Sequence, residues 1–93
     1  MAISVVLPHA LTPYSRGSGT VVVEDPCLTV ADALSAVGTR WPAVSDRVLT
    51  EQGELRQHVN VFVGEESIRS MEGLATIVPD GATITIVPAV SGG

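Results

Sequence analysis

The group in this chain whose chemistry is easiest to state is the terminal carboxylate of Gly93, which follows Gly92. An α-carboxyl has a reference pKa of about 3.3 to 3.7, so it is ionised at neutral pH, and a carboxylate is a poor electrophile. A partner must activate it. Adenylation with ATP makes the Gly93 carbonyl a mixed anhydride, open to attack by sulfur or nitrogen, and divides one difficult acyl transfer into two easier steps. In that chemistry the chain is a substrate and the enzyme lies elsewhere. Two final glycines suit the role, because without Cβ atoms they thread a narrow channel and take backbone angles closed to other residues.

Other chemistry is poorly supported. Cys27 could be a nucleophile with His9 or His58 as its base, but no third, orienting group accompanies them. Beside a helix start it reads as a small core residue, free cysteine being among the most buried types. His9, Cys27 and His58 lack the short spacings of metal ligands. Gly17-Ser18-Gly19 has neither the spacing nor the lysine of a phosphate loop. Glu65, Glu66 and Asp80 fall in turns, where solvation and backbone capping account for them.

The terminus needs a mount. Thr83 to Val87 is β-branched throughout and predicts a well-packed strand, and Pro88 is expected to end its ladder. Residues 89–93 would then hang free as a flexible tail of roughly 16 Å at about 3.3 Å per residue, beyond a domain of residues 1–88. Upstream, Ile3 to Leu7 and Thr20 to Glu24 read as a hairpin with a long polar connection over His9 to Gly19. Thr29-Val30-Ala31-Asp32 resembles a capping box with Asp for Glu, and Val30, Leu34, Val37 and Trp41 recur at helical spacing. Gly38, or alternatively Trp41-Pro42, would end this helix. Val44 to Leu49 suggests a short helical turn.

His58 to Val63 alternates, which sends Val59, Val61 and Val63 to the core and His58, Asn60 and Phe62 to the outer face. Phe62, extended by Val87, would form an apolar partner surface there, unless the protein's own loop covers the ring. Ser67 to Arg69 reads as a short strand, Met71 to Ala75 as irregular with one 3-10 turn, and Pro79-Asp80-Gly81 as a turn. The order ββ-α-β-β-β predicts an α+β β-grasp: a mixed sheet of four to five strands on one main helix, its first and last strands parallel at the centre.

Composition limits the partners. The chain has 93 residues, enough for one domain without disulfides or metal. Its 45% hydrophobic and 16% charged residues argue against disorder, and no apolar run suits a membrane span. No signal peptide is evident, and with a single cysteine the expected compartment is the cytoplasm. A net charge of −5 and the lack of a basic cluster make nucleic acid an unsuitable partner and favour a basic protein surface. All five basic residues are arginine, so no side-chain amine is present on which a second copy could be conjugated.

The stretch from Asp80-Gly81 through the strand to Pro88-Ala89-Val90-Ser91-Gly92-Gly93 resembles the C-terminus of the ThiS/MoaD family of sulfur carriers, ubiquitin-like β-grasp domains. The Pro-Ala-Val-Ser-Gly-Gly form is most similar to the CysO-type carriers of actinobacteria. Ala82-Thr83 and Ala89 depart from the wider pattern, which has an acidic pair and a second proline there. The resemblance implies a protein co-substrate rather than an enzyme, with no bound cofactor. An E1-like adenylyltransferase of the MoeB/ThiF type would use ATP to adenylate Gly93, and a sulfurtransferase or sulfide would supply sulfur to form a thiocarboxylate. An acceptor, such as a cysteine synthase or thiazole synthase, would then take the sulfur. Ala89, Val90, Ser91 and Gly92 would occupy the partner's channel. Cysteine biosynthesis is the first pathway implied, and natural-product sulfur incorporation a further one. The alternatives are a molybdopterin-synthase small subunit, a thiazole-forming carrier and a ubiquitin-like protein modifier.

Overall fold

Two runs of β-branched residues, at opposite ends of the chain, meet in the middle of one sheet. In the computed structural model, which describes residues 2–88, β1 (Ile3–Val6) lies parallel to the last strand. The others are β2 (Thr20–Val23), β3 (Val59–Val63), β4 (Glu66–Ser67) and β5 (Thr83–Pro88), in the spatial order β2-β1-β5-β3-β4. All neighbouring pairs except β1 and β5 are antiparallel. This is the ubiquitin-like β-grasp that the element order predicts.

One face of the sheet packs on α1 (Val30–Arg40) and α2 (Pro42–Val48). Ile3, Val5, Val21, Val23, Val59, Val61, Ile84 and Ile86 supply the sheet's side of the core, and Val30, Ala33, Leu34 and Val37 that of α1. Each fully buried aliphatic side chain contributes about 1.5 to 3 kcal/mol, so this layer is the main source of stability. The predicted stripe on α1 holds for Val30, Leu34 and Val37, whereas Trp41 is the half-buried C-cap and Ala33 completes the buried face.

Several local expectations give way to packing. Gly38 does not end the helix: it lies inside α1, where an added Cβ would stand 3.0 Å from the Cβ and Oγ of Ser45 on α2. The expected short turn is a full helix beginning at Pro42, whose missing N–H is no loss at a first helical position. The connection after β1 contains a 3-10 helix, His9–Ser15, closed by Arg16 at φ 54. Ser15 is buried there, and its hydroxyl donates to the Ser18 carbonyl at 2.6 Å. The strand expected at Ser67 to Arg69 is cut to Glu66–Ser67, because Ser67 Oγ accepts from Arg69 N–H and starts a 3-10 turn over Ile68–Ser70. That turn buries Ile68 completely.

Arg69 acts as a clamp between segments. Its Nη2 donates to the main-chain carbonyls of Arg56 at 3.0 Å and Val59 at 2.6 Å, holding the entry to β3. At the other end of the domain the Pro79–Gly81 turn closes as its sequence requires: Ala82 N–H donates to Pro79 O, and Gly81 has φ 79.

The capping box of α1 forms with Asp in place of Glu. Thr29 Oγ1 accepts from Asp32 N–H at 3.3 Å, and Asp32 Oδ2 accepts from the N–H groups of Leu28 at 2.9 Å and Thr29 at 3.1 Å. The bonds from Leu28, and then from Thr29, hold the Asp32 carboxyl below its ordinary pKa. A lowered folded-state pKa stabilises the fold above the unfolded value of about 3.9 and loses that contribution as pH falls through the folded value. Thr29→Ala is therefore expected to cost about 1 kcal/mol in urea unfolding near neutral pH. Asp32→Asn is expected to flatten part of the acid-side loss of stability, which a series of denaturation midpoints between about pH 6 and pH 2 would measure.

Candidate functional site

The last strand determines where the C-terminal segment begins. Gly64 N–H donates to Thr83 O at 2.9 Å, and the register pairs Phe62 with Thr85, Asn60 with Val87 and Val59 with Pro88. Hydrogen-bonded and non-bonded pairs alternate in an antiparallel ladder, so Val59 and Pro88 form a non-bonded pair. The ring nitrogen of Pro88 thus removes no bond from β3. On the other side, the pairing of β1 stops at Val6 opposite Thr85. Pro88 is accordingly the final residue of the strand rather than the residue that ends it one step earlier. The expected tail residues Ala89, Val90, Ser91, Gly92 and Gly93 lie outside the described residues.

β5 also defines a second feature. Ile84 and Ile86 are buried, while Thr83 and Val87 are exposed on the opposite face, with Thr85 half-buried between them. Phe62 is half-buried on that outer face and remains outside the core joined by Val59, Val61 and Val63. Its cross-strand neighbour is Thr85, and Val87 is its diagonal neighbour, within reach of an aromatic ring. Val6 lies opposite Thr85 on β1 and shares this outer face, so these residues form an apolar band toward the exit of β5. Asn60 is engaged within the sheet, its Oδ1 accepting from Ser67 Oγ at 2.9 Å. His58 is exposed at the entry to β3.

A third feature has no counterpart in the sequence reading. At the C-terminal ends of β1 and β5 a cleft of about 390 Å³ opens between the His9–Ser15 helix, α2 and the segment leading into β3. Pro88 forms part of its wall, with Leu11, Tyr14, Arg47, Arg56 and His58. The Arg47 guanidinium lies 3.9 Å from the centroid of the Tyr14 ring. Arg56 donates from Nε and Nη2 to the Asp46 carbonyl at 3.0 and 2.8 Å. Arg47 and Arg56 are nine positions apart on unrelated elements, in a chain of net charge −5, so no local pattern betrays the pairing.

Cys27 is half-buried against the core. Burial, followed by the nearby Asp32 and Asp25 charges, raises its thiol pKa, which disfavours the nucleophilic thiolate. Among the described residues no three His, Cys, Asp or Glu side chains are placed to hold a metal ion. No helix there is long and apolar enough to cross a membrane. Alkylation of Cys27 by iodoacetamide near pH 7.5 is therefore expected to run several-fold slower than for an unfolded peptide containing it. A rate equal to the peptide's would show an accessible thiolate instead.

Comparison with known proteins agrees with this arrangement. The sequence profile of the ThiS family matches residues 11–93. The chain is 33% identical over 95 residues to the sulfur carrier protein CysO of Mycobacterium tuberculosis, and the match covers 100% of both chains. It is 40% identical over 78 residues to small archaeal modifier protein 1 of Haloferax volcanii, covering 83% of this chain and 85% of that one. Among solved structures, a chain of the Amycolatopsis orientalis BexX/CysO complex superposes with a TM-score of 0.86 at 34% identity, covering 98% of this chain and 99% of that one.

Proposed function

The chain belongs to the ThiS family, and from that premise we propose that it is a sulfur carrier activated at Gly93. Its relatives are small carriers and ubiquitin-like modifiers rather than catalysts, and one of them is found complexed with BexX. The observation that supports a carrier most directly is the delivery of the C-terminal segment from a central strand. β5 is held on both sides as far as Thr85 and on one side to Pro88, so the residues that follow start from a fixed point. Those residues end in Gly92-Gly93, within a match that spans the whole of a known carrier.

In the proposed cycle a Gly93 carboxylate oxygen attacks the α-phosphorus of ATP on an E1-like adenylyltransferase of the MoeB/ThiF type, and pyrophosphate leaves. Sulfide then attacks the acyl carbon and displaces AMP, leaving a thiocarboxylate; where the nucleophile is a sulfurtransferase persulfide, displacement of AMP gives an acyl disulfide, and a thiol reductant cleaves its S–S bond to release the thiocarboxylate. An acceptor enzyme takes the sulfur, in cysteine formation first and in natural-product assembly as a further outlet. Ala89 to Gly92 lie in the enzyme's channel, and the apolar band around Phe62 and Val87 rests on its surface. The carrier binds no cofactor of its own, since ATP is consumed by the activating enzyme. We place the cycle in the cytoplasm, where ATP is available.

A protein-modifier role is the second reading, favoured by the similarity to the archaeal modifier. In that case the activated carbonyl would pass to an amine of another protein. The absence of lysine prevents chains of the modifier on itself through side-chain amines.

Incubation with ATP, sulfide and extract of the source cell, followed by intact mass measurement, separates these readings. A carrier gains one oxygen-for-sulfur exchange, and the variant lacking Gly93 does not. Conjugates of higher mass would indicate a modifier, and neither product would contradict both. A chain extended by one residue after Gly93 is expected to keep its unfolding midpoint and lose the exchange. Phe62→Asp is expected to slow the exchange at least about tenfold, the loss typical of a central interface residue. An unchanged rate would remove the band from the contact surface.

A further inference from the structure

The cleft at the ends of β1 and β5 is not required by the carrier chemistry, yet β5 runs into it. We propose that it is a seat for the chain's own C-terminal segment, in which Arg47 and Arg56 receive the Gly93 carboxylate. Position supports this first. Pro88, to which the segment is joined, is part of the cleft wall. Reach supports it next: five further residues span up to roughly 16 Å from Pro88, which lines the same cleft as both arginines. The walls also match the segment. Leu11 and Tyr14 offer apolar surface to Ala89 and Val90, and the final glycines can approach the guanidinium groups closely.

Charge gives the seat its direction. The chain is acidic overall, but two of its five arginines line this one cleft. Among the described residues both are held in place without using a carboxylate. Arg47 lies on the face of Tyr14, and Arg56 binds a main-chain carbonyl of α2. Their positive charge is therefore available to an anion, and their side chains are ordered before it arrives, which lowers the entropic cost of binding. Asp46 also lines the cleft and opposes an incoming carboxylate. Ion pairs at exposed positions are weak, so the seat holds the segment loosely and yields it to a partner's channel. It shields the carboxylate between encounters.

The inference needs a free α-carboxyl at Gly93 but not the identity of any partner, so it can fail independently of the sulfur-carrier reading. The test is NMR on the full chain labelled with 13C and 15N. Expected are nuclear Overhauser contacts from the Val90 methyls to the Tyr14 ring or Leu11. These should weaken at least about twofold when Gly93 is amidated, which removes the charge without touching the folded domain. Arg47→Gln with Arg56→Gln should weaken them similarly, as should raising salt to about 0.5 M, where screening shortens to a few ångströms. Absence of any contact between residues 89–93 and the cleft in the unmodified chain would overturn the seat. Contacts of equal strength in the amidated chain would overturn the role given to the two arginines.

Discussion

The parallel pairing of β1 with β5 is the constraint on which the rest of this molecule depends. Parallel neighbours cannot be joined by a tight turn, so part of the intervening chain must cross one face of the sheet. That crossing contains α1 and α2, which bury Val30, Leu34, Val37, Val44 and Val48 against the strands. It also leaves room for β3 to pair on the far side of β5, placing the last strand of the chain near the centre of the sheet instead of at its edge. An edge strand could fray and carry its end with it. A strand held on both sides to Thr85 and paired with β3 to Pro88 starts the following segment from within the sheet.

The same strand divides its side chains between two purposes. Ile84 and Ile86 point into the core, and Thr85 and Val87 alternate onto the outer face beside Phe62. A shift of one residue in register would exchange these sets, so the buried isoleucines fix the position of the apolar band as firmly as they fix the fold. Stability and the proposed contact surface are thereby tied to one register. The starting point of the C-terminal segment and the surface beside it cannot move independently.

Polar anchoring away from the sheet relies on main-chain carbonyls. Arg69 gathers the carbonyls of Arg56 and Val59, and Arg56 binds that of Asp46. Irregular segments expose backbone acceptors that need partners, and a guanidinium has five donors in a rigid fork with which to satisfy several of them. In this way the short chain between α2 and β3 is ordered without regular secondary structure. The arrangement also leaves positive charge on an otherwise acidic surface, next to the end of β5.

Most of the architecture was legible in short-range pattern. β-branched runs, the alternation of His58 to Val63, the Thr29–Asp32 capping box and the Pro79–Gly81 turn each express an interaction between residues a few positions apart, which a linear sequence displays. The chemistry proposed for Gly92-Gly93 was likewise read from residue type alone. Tertiary structure decided what depends on distant partners. Pro42 opens a packed helix because Gly38 lets α2 come close to α1. The chain after β1 coils into a 3-10 helix whose Leu11 and Tyr14 pack against the core. Pro88 stays in the strand because its pair with Val59 needs no hydrogen bond. Arg47, Arg56, Tyr14 and Pro88 come together only when β1, α2 and β5 have packed. Such a cleft is made by the folded backbone, and no spacing along the chain encodes it.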